Sequence, residues 1–198
     1  MITQLATVKA RLGISEFDVK DDAILTNAIK AVTVRFDKEC NRTLARAVGL
    51  TQQFGADETE IAACCYPVES VTGFELKTSE ARGWVEQTDV EFLIRRQCII
   101  SLSCPINYQP STINHPLARV TYTGGYVLPG SADILSATRL PDDLEQAAVE
   151  QVAYWYANRN RLGVIREWPK GGVYLQFQDL DLLPSVRAVL KHYERWTL

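Results

Sequence analysis

The residues of this chain with the types and spacing to do chemistry cluster in one run, Tyr154-Trp155-Tyr156-Ala157-Asn158-Arg159-Asn160-Arg161. The chemistry they suggest is recognition. On a helix of 3.6 residues per turn, three consecutive aromatics spread over about 200°, so one intramolecular core cannot take them all. Aromatic and arginine side chains dominate interface energetics. One reading therefore sends Tyr154, Tyr156, Arg159 and Arg161 to a partner. A second packs Trp155 inside and leaves Tyr154 and Tyr156 along the boundary with their hydroxyls in water. Base stacking is a third use, weakened by the small local positive charge.

Catalytic constellations are poorly supplied. The chain has 2 histidines: His115 in a Pro-flanked loop and His192 in the last helical stretch. No GxSxG elbow accompanies the serines. Gly124-Gly125 and Gly171-Gly172 lack the context of a phosphate-binding loop and read as turn or bulge glycines. Asp57, Glu58 and Glu60 read as solvated turn charge. Asp142, Asp143 and Glu145 suit a helix N-terminus, where the dipole stabilises carboxylates, and neither group has the spacing of a calcium loop. The 5 cysteines include no CxxC, and Cys64-Cys65 adjacency is poor geometry for tetrahedral chelation. Cys40, Cys64, Cys65, Cys98 and Cys104 are expected to be free thiols packed as small hydrophobes. The Asn41-Arg42-Thr43 acceptor pattern matters only on a secretory route. No catalytic residue, cofactor or metal is expected.

The elements that must position these residues follow from periodicity. Ile2, Leu5, Val8 and Leu12 step as a helix, with Thr3 as its N-cap and Gly13 as its stop. A second helix, capped by Asp21 or Asp22, carries the stripe Ile24, Leu25, Ala28, Ile29, Val32, Phe36 and Cys40. Asn41 is placed to end it in a left-handed conformation. Short β-type runs follow at Leu50–Phe54, Ile61–Cys65, Ser70–Lys77, Trp84–Gln87, Glu91–Ile94, Cys98–Ser103 and Ala118–Tyr122. No long helical stripe interrupts them, which argues for a small antiparallel sandwich or barrel.

Helical periodicity returns after Leu140-Pro141, with Leu144, Ala147, Ala148, Val152 and Trp155 as the buried stripe and Gly163 as the stop. A mixed loop runs from Val164 to Leu183, with a short strand at Val173–Phe177. Pro184 opens a last helix striped by Val186, Val189, Leu190, Tyr193 and Trp196. The expected fold class is α+β: a helical bundle of 1–43 and 139–198 packing together, with 44–138 inserted as a small β-sandwich or barrel-like domain.

Composition bounds the partners. The 198 residues are 46% hydrophobic and 23% charged, with 21 Lys+Arg against 24 Asp+Glu, as in an ordinary globular protein. The net charge of -3 disfavours a dedicated nucleic-acid binder. No apolar run reaches the ~20 residues that span a bilayer, and the opening residues place Lys9 and Arg11 inside the apolar pattern, unlike a secretory signal. Synthesis in the cytoplasm is expected.

Several stretches together resemble the head–tail connector (adaptor) proteins of long-tailed bacteriophages, also found in prophages and gene transfer agents. Met1-Ile2-Thr3 through Val8-Lys9 to Leu12, then Asp21-Asp22-Ala23-Ile24-Leu25, closing in Cys40-Asn41-Arg42-Thr43-Leu44, is similar to that family's first helix pair. Cys65-Tyr66-Pro67-Val68-Glu69-Ser70-Val71 resembles its strand-to-strand step. Tyr122-Thr123-Gly124-Gly125-Tyr126, Leu140-Pro141-Asp142-Asp143-Leu144-Glu145-Gln146-Ala147 and Tyr156-Ala157-Asn158-Arg159 resemble the return from the insert into the third helix. Leu183-Pro184-Ser185-Val186 to Leu190-Lys191-His192-Tyr193 fits the closing helix.

The resemblance implies a structural virion protein of the neck. It would form a typically dodecameric ring below the portal protein and extend the DNA channel. It would also serve as a platform for the stopper or tail-completion protein. Double-stranded DNA would pass transiently, without sequence-specific binding, and no membrane is involved. Weak acidity suits such a conduit, because many phosphate-neutralising cations would hold the DNA. A closed ring needs two different complementary faces per subunit. Candidate contributors are Tyr154, Tyr156, Arg159 and Arg161, the last helix with Trp196, and the loop bearing Trp168. The alternative is a DNA-binding module using the C-terminal helices. An enzyme with the insert as its substrate domain, and a glycan-binding insert using Trp84, are further rivals.

Overall fold

A computed structural model describes residues 1–102, 117–132, 137–159, 164–166, 176–177 and 181–195. The helices are α1 (Leu5–Leu12), α2 (Asp22–Glu39), α3 (Asp142–Ala157) and α4 (Pro184–Leu190), the last continued by a 3₁₀ turn at Lys191–Tyr193. The strands are β1 (Ala47–Gly55), β2 (Glu60–Ala62), β3 (Val68–Lys77), β4 (Trp84–Glu86), β5 (Phe92–Arg95), β6 (Ile99–Leu102), β7 (Leu117–Gly124), β8 (Val164–Arg166) and β9 (Gln176–Phe177). They form two compact units. The helical unit takes Met1–Cys40, Leu128–Gly130 and Leu140–Tyr193, and the β unit takes Asn41–Val127, Ser131–Arg139 and Glu194–Leu198. The expected class is borne out: N- and C-terminal helices pack together and the inserted sheets are antiparallel.

In the helical unit the stripes meet as read. Ile2, Val8, Leu25, Ile29, Val32, Phe36 and Cys40 are buried together with Leu144, Ala147, Ala148, Val152, Val186 and Leu190. Gly13 ends α1 at φ 69° with its N–H donating to the carbonyl of Ala10, the left-handed C-cap that glycine adopts without steric cost. Four expectations need correction. Thr3 is not the N-cap; that position is Gln4, because the Thr3 hydroxyl donates instead to Glu145 on α3 at 3.1 Å. Ile24 lies on the exposed side of α2, since the buried stripe runs through Leu25. The third helix stops at Ala157 rather than Gly163, where Asn158 Nδ2 turns back to the Tyr154 carbonyl at 2.9 Å and competes with continuation. The segment 164–166, read as loop, pairs antiparallel with 176–177.

The β unit is a small sandwich. One sheet has the order β1-β7-β3-β4 and the other β2-β6-β5. Phe54, Phe74, Ile100, Ala118, Val120 and Tyr122 form one cluster between them, and Phe74 lies 6.1 Å, ring centre to ring centre, from both Phe54 and Phe92. Past Ala62 the Ile61–Cys65 run keeps one bond, Ala63 N–H to the Cys98 carbonyl at 2.9 Å, and then the Cys64 and Cys65 N–H groups donate to the Tyr122 hydroxyl, each at 3.1 Å. Gly124 has a packing role: a Cβ there would sit 2.5 Å from the Cys65 carbonyl oxygen and 3.0 Å from that of Pro67.

A candidate interface on the helical unit

The end of α3 brings the central candidates together. Tyr156 donates its hydroxyl to an Asp21 carboxylate oxygen at the start of α2. The Arg159 guanidinium stacks on the Tyr156 ring at 4.0 Å, donates to the Tyr156 carbonyl at 2.9 Å and stands 3.9 Å from Asp21. The arrangement arises locally. Tyr156 and Arg159 are three residues apart at a helix end, so both side chains fall on one face, and Asp21 supplies the anion at the start of α2. The bond to Asp21 raises the Tyr156 pKa above its usual value, with desolvation acting in the same direction and Arg159 opposing. Three polar groups are thus held in fixed orientation at a rim that stays partly open to solvent.

Tyr154 points away from this cluster's hydrogen bonds and is 39% exposed. Trp155 is half-buried, with an indole N–H that is out of water and has no acceptor among the described residues. The run therefore divides: Trp155 turns inward, Tyr156 is tied to Asp21, and Tyr154 is left outside. Arg161, Trp168 and Trp196 lie outside the described residues, as do Cys104 and His115. His192 is exposed in the 3₁₀ turn.

A second polar node braces α4. Asp181 accepts from Arg35 at 3.1 Å and also pairs with Arg187, while Arg187 reaches Glu39 at 3.4 Å. The Leu182 N–H, then the Arg187 and Arg35 charges, hold the Asp181 carboxyl below its usual pKa against some desolvation. Gln151, buried on α3, accepts from the Leu183 N–H at 2.8 Å and fixes the entry to α4. Periodicity missed Gln151 because a polar residue is not counted on an apolar face.

No group of three His, Cys, Asp or Glu among the described residues could hold a metal. Cys40, Cys65 and Cys98 are buried as expected, whereas Cys64 is only half-buried. No described helix is long and apolar enough to cross a membrane.

No protein-family model matches the chain, and no curated protein matches it. Solved structures match over nearly its whole length. A chain from the neck of an empty gene transfer agent particle, computed with C6 symmetry, is 15% identical with a TM-score of 0.59, covering 98% of this chain and 89% of its own length. A chain from the neck of the native particle, computed with C12 symmetry, is 15% identical with a TM-score of 0.54 over the same shares. A chain from the virion of the native particle is 17% identical with a TM-score of 0.56, again covering 98% and 89%. At these identities the likeness is one of fold.

Proposed function

We propose that this chain is a structural, non-enzymatic protein of the neck of a phage-like particle, a head–tail connector. Its copies form a ring below the portal, extend the DNA channel and support the stopper or tail-completion protein. The observation that carries the reading is the shared fold along 98% of the chain with a protein from a C12-symmetric gene transfer agent neck. The sequence resemblance described above points to the same family. In this reading the helical unit makes the ring and portal contacts, and the β unit serves the tail-side partner. The Asp21–Tyr156–Arg159 cluster and the exposed Tyr154 belong to the contact surface, as do Arg161, Trp168 and Trp196.

The test mixes the full chain with portal rings of the parent particle and images them by negative stain. A collar at one end of the portal is expected. Reversing Arg159 and Arg161 to Glu should abolish the collar while thermal unfolding stays close to wild type, because the partly exposed Arg159 pair contributes less than ~1 kcal/mol to stability. Normal attachment of that variant counts against the assignment. Duplex DNA should bind weakly, with a steep loss of affinity as salt rises. A nanomolar, salt-tolerant complex would contradict the passive conduit and favour the DNA-binding module.

A further inference from the structure

The loop between α1 and α2 is built in an unusual way for so exposed a segment. Phe17 is 92% exposed and Val19 is 72% exposed, yet the backbone that carries them is fixed from beneath. Lys9 is buried, and its ammonium reaches the Glu16 carbonyl at 3.2 Å, the Asp18 carbonyl at 2.9 Å and the Asp22 carboxylate at 2.5 Å. The two carbonyls accept hydrogen bonds and the carboxylate balances the charge. The loop adds its own bonds, Asp18 N–H to the Ser15 carbonyl at 3.0 Å and Lys20 N–H to the Asp18 carboxylate at 3.1 Å. A buried lysine spent on loop carbonyls fixes the backbone that holds a phenylalanine out in solvent. Pre-organisation of this kind lowers the ordering cost of binding. Glu16 and Asp18 flank the aromatic, so its partner should offer an apolar patch edged with positive charge.

The same unit carries such a patch. On the outward side of α2, Ile24, Ala31 and Val34 are exposed around Asn27 at spacings that place them on one helix face. Lys30 and Lys38 edge that face, also exposed. We propose that the loop Ser15–Lys20, anchored by Phe17, docks onto the outward face of α2 around Val34 in a second copy of this chain. The contact is heterologous, since loop and helix face are different surfaces, and repetition about an axis closes a ring. It rests on the ring reading above, and it assigns to that ring an acidic, aromatic surface and a basic, aliphatic one.

Full-length Phe17→Asp and Val34→Asp variants test it. Both changes lie on exposed positions, so each variant should melt as wild type does. Wild-type protein on portal rings should give closed collars, and each variant alone should give none. In native mass spectrometry each variant alone should be monomeric. Their equimolar mixture should give one-to-one pairs, because one intact loop then meets one intact helix face. Closed collars from either variant, or a mixture that forms no pairs, would overturn the contact and leave the ring reading standing. Wild-type protein that forms no collar would overturn the ring reading itself.

Discussion

The two units treat buried polarity differently. In the helical unit, two side chains taken out of water reach for segments that are not helical: Lys9 for the carbonyls of Glu16 and Asp18, and Gln151 for the Leu183 N–H. In the β unit, Tyr122 and Gln52 bond to the backbone of the sandwich itself. Tyr122 accepts from the Cys64 and Cys65 N–H groups. Gln52 accepts from Cys64 N–H at 2.9 Å and donates to the Ala62 carbonyl at 2.9 Å. Around them Arg46 forms a two-pronged pair with Glu69 at 2.8 Å, and Arg119 binds Glu75 while stacking near Trp84 at 4.5 Å. Lys9 and Gln151 shape surface segments, whereas Tyr122 and Gln52 lock a core. That contrast is what an interface-forming part and a rigid platform would each need.

The comparison can be broken most forcefully at Gly124. Gly124→Ala drives a methyl into the Cys65 and Pro67 carbonyls, and overpacking against backbone should cost about 3 kcal/mol of β-unit stability, read by urea titration. The helical unit should answer differently at Lys9. Lys9→Met should cost about 2 kcal/mol from the lost charge-assisted bonds. It should also speed amide exchange across 15–20 far more than in α2, and uniform acceleration would contradict the clamp.

The smallest effect belongs to Tyr122→Phe, about 1.5 kcal/mol, from the lost bonds to the Cys64 and Cys65 N–H groups. Its pH dependence sharpens the point. Burial pushes the Tyr122 hydroxyl up from 10.0 to about 12, so the folded state favours the protonated phenol. The stability it contributes is complete below 10.0, the unfolded value, and is lost as pH rises towards 12. The gap between wild type and Tyr122→Phe should therefore close over that range in chemical denaturation at alkaline pH.

Much of this was legible in the sequence because apolar spacing is a direct record of burial. Every strand of the sandwich falls on an expected run, and α2 keeps its stripe from Leu25 to Cys40. Asn41 takes the left-handed conformation, φ 49°, that its position suggested. What escaped was polar and long-range. Thr3 looked like a cap because the local rule counts neighbours in sequence, while its real partner Glu145 lies 142 residues away. In the sequence Lys9 stands only as a charge inside the apolar pattern, although it is 3% exposed. Of the aromatic run, the surplus was visible in advance, but not that Asp21 would engage Tyr156. Pairing of that kind depends on which helix ends fold beside each other, and periodicity carries no such information.

The most direct test of the neck assignment is electron microscopy of a lysate from the parent phage with this gene disrupted. The account predicts heads that are DNA-filled or leaking, beside separate unattached tails. Intact, tailed, infectious particles would contradict it.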